Sequence, residues 1–282
     1  MSVKQTREFH FTLQDFQLIC KLIYQRAGIS LNESRQELVY GRVAKRLRAT
    51  GIRTFAEYLE HLQHGDAAEW EAFTNSLTTN LTSFFREAHH FQALVEQLRK
   101  LDKTRPIVLW CSACSTGEEA YSMAMTAVDT FTSFDNPVRI VASDLDTAVL
   151  ERARIGRYSM DSVAKMPAHQ VDKFFVRGKD KGVDFVQVRP SLQKMIFFRQ
   201  INLLDTTWPI RGQLDAIFCR NVMIYFDKPT QLAILKKFAL LLRGEGLLFA
   251  GHSENLYQAE AYFKLRANTV YELSAQARMA CI

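Results

Sequence analysis

No apolar run approaches the roughly 18 to 20 residues of a membrane-spanning helix. An integral helical membrane protein is therefore excluded. The opening residues, MSVKQTREFHF, lack a hydrophobic core and a small-residue cleavage site. No secretory signal is expected there, and the expected compartment is the cytoplasm. Glycine (12) and proline (6) are too scarce for a collagen-like or low-complexity chain. The five cysteines, at 20, 111, 114, 219 and 281, are odd in number and scattered. Such a set builds no disulfide framework. There is no second C-x-x-C pair and no His cluster at ligand spacing, so no metal is expected.

What is present is an ordinary globular composition, 48% hydrophobic and 23% charged, which excludes a disordered chain. A length of 282 residues suggests two domains, or one large domain with an appendage. The first part reads as helices. Phe16, Ile19, Cys20 and Ile23 recur at helical spacing within 14–27. Asn32 is the expected N-cap of a second helix that runs to Thr50 and is closed by Gly51. Thr54 with Glu57 has the pattern of a capping box for a third helix through His64. A fourth spans 67–77. After Pro106 the pattern changes. Short apolar runs at 107–111, 139–143, 195–199, 214–219, 246–250 and 269–272 read as strands. Helical stretches at 118–132, 147–154 and 229–242 fall between them. Strand–helix alternation implies a mostly parallel sheet covered on both faces. Residues 158–195 break the alternation and read as a small antiparallel insertion, with Gly178–Gly182 as a turn and Phe185–Val188 as an exposed strand.

The turn after the first strand, Ser112 to Gly117, is rich in small residues that let a ligand approach the backbone. It is not G-x-G-x-x-G, and the next helix opens with Glu118 and Glu119. It suits hydroxyls and positive charge better than phosphates. Asp144 closes the second strand. Two readings stand for it: an acceptor for a ribose diol, and a helix N-cap carboxylate. Cys111-Ser-Ala-Cys114 forms a C-x-x-C, but without a second pair it reads as small apolar residues at a tight turn rather than a redox or metal site.

Six segments, in order, carry a family resemblance. They are Thr78-Thr-Asn-Leu-Thr-Ser-Phe-Phe-Arg-Glu87, Ser115-Thr-Gly-Glu-Glu119, Ala142-Ser-Asp-Leu-Asp146, Asn202-Leu203, Cys219-Arg-Asn-Val-Met-Ile-Tyr-Phe-Asp227 and Gly251-His-Ser-Glu254. Together they resemble the chemotaxis receptor O-methyltransferases of the CheR type, over residues 12 to 273. The resemblance implies an α/β fold: a class I methyltransferase (Rossmann-like) sheet binding S-adenosylmethionine (SAM), with an N-terminal all-helical domain and a small inserted antiparallel β-subdomain. The expected division is 1–80 helical, 81–104 linker and connecting helix, and 105–282 methyltransferase with its insertion. The implied activity is methyl transfer from SAM to glutamate side chains on the cytoplasmic helical bundle of chemoreceptors. The products are γ-methyl esters, serving sensory adaptation, and S-adenosylhomocysteine.

Carried over residue by residue, the implied cofactor contacts are Asn80, Thr82, Arg86, Glu119, Asp144, Asn202, Leu203, Arg220 and Asn221. Glu119 is matched in preference to Glu118. Arg86 and Tyr225 are the implied catalytic residues beside the reacting methyl. The chemistry is consistent with these residue types. A carboxylate nucleophile is already ionised at neutral pH, so positioning and partial desolvation are what remain for the enzyme. For Arg86 the alternative is a salt bridge with Glu87. For Tyr225 it is a half-buried aromatic at a strand–helix junction. His252 reads as solvent-facing or structural.

Charge in the helical part is segregated. Arg35, Arg42, Lys45, Arg46, Arg48 and Arg53 are opposed only by Glu37, and Glu57, Glu60, Asp66, Glu69 and Glu71 follow. With aromatics sparse, nucleic acid is not the expected partner. A solvated face is one reading. With the family in view, Arg42, Lys45, Arg46 and Arg48 suit docking on an acidic receptor helix pair. The resemblance also implies that a receptor C-terminal pentapeptide can add to the inserted sheet near Phe185–Val188. A monomer, recruited to membrane receptor arrays only through the receptors, is expected. The alternatives are a methyltransferase for a small molecule or RNA, and a non-catalytic SAM-binding scaffold.

Overall fold

The computed structural model describes residues 7–65 and 67–280. Asp66 and Cys281 lie outside the described residues. The chain divides into two compact units, one holding residues up to Thr79 together with Tyr225–Asp227, the other holding 80–224 and 228 onward.

The first unit is helical: α1 (Leu13–Ala27), α2 (Gln36–Thr50), α3 (Phe55–His64) and α4 (Ala67–Leu77). Helix α1 starts at a full capping box. Thr12 Oγ1 accepts from the Asp15 amide, and Asp15 Oδ2 accepts from the Thr12 amide at 2.8 Å. It stops at Gly28, whose φ of 68° is left-handed. One face of each helix is apolar at three- and four-residue spacing. Ile19, Ile23, Val39, Val43, Leu47, Phe55, Tyr58, Leu62 and Phe73 are all fully buried. Truncating one, for example Leu47→Ala, should cost about 2–5 kcal/mol. Residues 225–227 belong to this unit: the Tyr225 carbonyl accepts from the Ser30 amide at 2.8 Å, and the Tyr24 hydroxyl donates to Asp227 at 2.6 Å.

Two cap expectations need correction. Asn32 precedes a 3₁₀ turn at Glu33–Arg35, so α2 begins only at Gln36; its side chain makes no capping bond and instead accepts from the Ser34 hydroxyl. Thr54 does cap α3 through the Glu57 amide, but Glu57 takes the Thr54 hydroxyl rather than closing the box on the Thr54 amide.

The second unit opens with α5 (His89–Lys100). It continues β1 (Ile107–Cys111), α6 (Glu118–Phe131), β2 (Val138–Asp144), α7 (Thr147–Ile155), β3 (Arg157–Ser159), α8 (Met160–Val163), α9 (Ala168–Phe174), β4 (Phe175–Asp180), β5 (Val183–Val188), α10 (Pro190–Gln193), β6 (Ile196–Gln200), β7 (Leu214–Cys219), α11 (Lys228–Leu241), β8 (Leu242–Ala250), β9 (Phe263–Ala267), β10 (Val270–Leu273) and α12 (Ala275–Ala280). The main sheet has the order β6-β2-β1-β7-β8-β10-β9. Strands β6, β2, β1, β7 and β8 are parallel; β10 runs antiparallel to both its neighbours. The central β7 is buried at every position, as the continuous apolar run of a doubly covered strand requires. Helix α6 is buried from Ala120 to Val128, all round. At the N-terminal end of β7, buried Asp215 is held by Arg105 at 2.6 and 3.0 Å and by the Val108 amide at 2.9 Å.

A second sheet has the order β3-β5-β4, antiparallel throughout. Here the expected docking edge is corrected. Phe185–Val188 lies in β5, the central strand, whose backbone is paired on both sides. The edges are β3 and β4. The 2.0 period shows which face a strand buries, not where it sits in a sheet. Among the described residues no helix is long and apolar enough to cross a membrane.

Candidate functional site

From β1 the sheet grows outward in both directions, to β2 and β6 on one side and to β7 and β8 on the other. Ligands of open α/β sheets bind at such a switch point, beyond the carboxyl ends of the strands. The turn after β1 sits there. Ser115 has φ 48° and Gly117 φ 99°. A Cβ on Gly117 would lie 2.9 Å from both Ala153 Cβ and the Tyr158 hydroxyl. Glycine is thus required twice over, for conformation and for space. Asp144 ends β2 beneath this turn. Its Oδ2 accepts from the Ser115 amide at 2.8 Å and its Oδ1 from the Asp146 amide at 3.0 Å. Burial raises its pKa to about 6. The N-cap alternative for Asp144 falls: Asp146 caps α7, accepting from the Ala148 and Val149 amides.

The segment entering the second unit is pinned to the same turn. Asn80 donates to Asp146 at 2.9 Å, and its carbonyl accepts from the Ser115 hydroxyl at 3.0 Å. Buried Ser122 in α6 accepts from the Phe85 amide at 2.9 Å. Phe85 and Glu87 have positive φ, 51° and 56°. Non-glycine residues held there mark a loop over-determined by its surroundings. Between them Arg86 is half-buried and donates to the Leu81 carbonyl at 3.0 Å. The expected alternative, an Arg86–Glu87 salt bridge, is not formed, because Glu87 turns to Arg220 instead.

Arg220, one residue past β7, is fully buried. It donates to Glu119 at 2.9 Å and to the Arg86 carbonyl at 2.5 Å, and lies 3.3 Å from Glu87. The guanidinium ties the start of α6 to the Phe85–Glu87 loop. Burial pushes the Glu119 carboxyl up, with Arg220 opposing. At Glu87 burial also pushes up, but Arg220 and its hydrogen bonds outweigh it and leave the carboxyl below its ordinary value. His90 packs beside this cluster. Burial, then Arg220 and His89, lower its pKa to about 4, so it is neutral at pH 7.

Asn221 follows with φ 57°. Its amide donates to Glu254 at 3.0 Å. Asn202 accepts from the Leu204 amide through its side chain and from Trp208 Nε1 through its carbonyl. Leu203 is buried and Thr82 half-buried. Tyr225 is half-buried in the helical unit. His252 faces solvent. Cys111 and Cys114 are buried thiols that burial pushes well up, and Cys111 donates to Glu119. They behave as small core residues.

The basic face of α2 is largely committed within its own unit. Arg42 caps the end of α4, donating to the carbonyls of Leu77 and Thr78 at 2.7 and 2.6 Å. Arg46 forms a two-point contact with Glu69 at 3.1 and 2.6 Å, and Arg48 pairs with Glu8. Lys45 is exposed and makes no ion pair among the described residues. Helical spacing finds such a face, but not the acids that fold back on it.

Neither Ser122 nor Glu254 carries a local sequence signal for its role. Ser122 looks like any helix-interior serine, and Glu254 lies 33 residues from the Asn221 amide, one of the two it holds. Glu87 and Glu254 both lie within the six segments that carry the family resemblance.

The donor set at the switch point fits a cationic nucleoside. It offers a buried carboxylate beside small-residue backbone, and carboxylates rather than lysines at the helix start. With the parallel sheet and its reversed end hairpin, this defines a class I SAM-dependent methyltransferase domain. The model of the CheR methyltransferase all-alpha domain matches residues 14–78, and that of the CheR methyltransferase SAM binding domain matches 80–272. The chain belongs to the CheR methyltransferase family and uses S-adenosylmethionine. It is 50% identical over 266 residues to chemotaxis protein methyltransferase 2 of Pseudomonas aeruginosa, covering 94% of this chain and 95% of that one. It is 45% identical to the chemotaxis protein methyltransferase of Salmonella typhimurium (96% and 94% covered) and 47% identical to that of Escherichia coli (92% and 90%).

Proposed function

We propose that the protein methylates glutamate side chains of chemoreceptors, forming γ-methyl esters and S-adenosylhomocysteine. The carrying observation is the Asp144–Ser115 pair at the switch point of a CheR-family sheet. Bound there, SAM supplies a methyl group made electrophilic by its sulfonium. Asp144 would accept from the ribose hydroxyls with the lone pairs its two amide donors leave free. Asn80, Thr82, Glu119, Asn202, Leu203 and Asn221 complete the proposed cofactor contacts. Arg220 acts there through Glu119 and the Arg86 carbonyl, since its own side chain is fully enclosed.

The glutamate needs no general base, being ionised already. Arg86 holds the incoming carboxylate by a charge-assisted contact. Its guanidinium is tethered at one edge by the Leu81 carbonyl, which fixes its aim. Tyr225 is the second proposed catalytic residue. Residues 81–104 serve as linker and connecting helix. Receptor docking falls to exposed Lys45 with Arg35 and Arg53, because Arg42, Arg46 and Arg48 already have partners. The tethering peptide would add to an edge of the small sheet, with β4 the longer one.

The test uses tritiated methyl-SAM, chemoreceptor-bearing membranes and alkaline release of methanol. Base-labile label on receptors, lost in Arg86→Ala while SAM still binds, is the expected result. SAM binding without receptor label would assign a different methyl acceptor.

A further inference from the structure

The turn after β7 and the turn after β8 are held together by one carboxylate. Glu254, four residues beyond the end of β8, is only 5% exposed. Its Oε2 accepts from the Asn221 amide at 3.0 Å and the Gly251 amide at 2.5 Å. Its own amide donates back to the Gly251 carbonyl at 2.9 Å. The two strand ends meet closely here. A Cβ on Gly251 would fall 2.5 Å from Asn221 Nδ2 and 2.8 Å from both the Asn221 amide nitrogen and Glu254 Oε2. Asn221 holds a left-handed φ of 57°, a conformation asparagine adopts more readily than most residues with a side chain. Glu254 is the acceptor to which its backbone amide donates in that conformation.

We infer that Glu254 is a positioning residue for cofactor binding: by accepting the Asn221 and Gly251 amides it fixes the Arg220–Asn221 turn in its SAM-contacting form. This rests on the proposed contact between that turn and SAM. An acceptor at the Oε2 position, rather than side-chain volume, is what these two amides require. The Met223 and Ile224 amides also face this carboxyl, and a glutamine that keeps its carbonyl where Oε2 was still accepts from the Asn221 and Gly251 amides. A leucine fills similar space and accepts nothing.

The experiment compares Glu254→Gln and Glu254→Leu by calorimetric SAM titration, with the amide signals of Asn221 and Gly251 followed by NMR. Glu254→Gln should bind SAM within about threefold of the parent and keep both amides shifted and slow to exchange. Glu254→Leu should raise the Kd about tenfold or more, the scale set by a buried donor that loses its acceptor. It should also release both amides. Equal SAM affinity in the two variants overturns the inference. So does a parent protein whose Asn221 and Gly251 amides exchange freely, a measurement that stands even if Glu254→Leu does not fold. Asn221→Gly, which relieves φ while removing the side chain, separates the two layers. Unchanged SAM binding there, with the amides still held, faults the cofactor assignment of the turn rather than the clamp.

Discussion

Asp144 closes β2 and reaches back to the Ser115 amide, 2.8 Å away in the turn after β1. One buried carboxylate therefore fixes the backbone of the turn and presents its remaining lone pairs at the switch point. Enclosing that carboxylate has a cost. Burial raises the folded pKa from 3.8 to about 6. For a raised acid the favourable contribution is complete below the unfolded pKa and is lost as pH rises through the folded one. By pH 7 the ionised form costs about 3 kcal/mol. Asp144→Asn should match or exceed the parent's stability at pH 7, lose that advantage near pH 4, and weaken SAM binding about tenfold or more. Urea unfolding at the two pH values checks the first part. An equal stability loss at both would rule out the desolvation account.

His90 works in the opposite direction. Its folded pKa falls from 6.5 to about 4 through burial, Arg220 and His89. Its contribution is present above pH 6.5 and lost as pH falls toward 4, reaching about 3 kcal/mol. The Asp144 and His90 slopes oppose each other between pH 4 and 6. The parent should show little net dependence from the pair, and single variants should expose each slope. Stability should rise with pH in Asp144→Asn and fall with pH in His90→Gln. Parallel profiles in the two variants would contradict the assignment.

Arg220 is the next test. Its side chain is fully buried, with Glu119 on one side and the Arg86 carbonyl on the other. Removing one partner of a buried pair strands the other charge, at a cost of about 3–5 kcal/mol. Arg220→Gln should lose stability on that scale and lose methyl transfer. Arg220→Lys, keeping charge but not the fork, should recover part of the stability and little of the activity. Chemical denaturation and single-turnover methylation read the two effects separately.

Much of this was legible in the residues, for local reasons. The apolar run 214–219 is strand β7 from end to end, and 118–132 misses α6 by one residue. Both have uninterrupted patterns bounded by turn residues. Strands β3 and β9 were missed: three residues and a largely exposed edge leave no period to read. The Thr12–Asp15 box went unread because aspartate, not glutamate, occupies the third position. At the site, Asp144 stood out by its place after a strand. The Arg220–Glu119 pair did not, because 101 positions separate its members and only the sheet order brings them together.

The small sheet offers the last test. Gly178 in β4 faces Phe185 in β5, and Arg157 of β3 stacks on the same ring at 4.1 Å. A Cβ on Gly178 would meet the Phe185 ring at 2.3 Å, so the ring lies flat only because residue 178 is glycine. Gly178→Ala must lift the ring, part it from Arg157 and disturb the β4 edge, at a cost of about 1–3 kcal/mol. The SAM contacts proposed here all lie outside this sheet. SAM affinity should therefore hold, while methylation of receptors carrying a C-terminal tethering peptide falls several-fold toward the rate of receptors lacking it. Isothermal titration with SAM and paired methylation assays on the two receptor forms measure this. An equal drop on both forms would place the effect in catalysis and remove the small sheet from substrate capture.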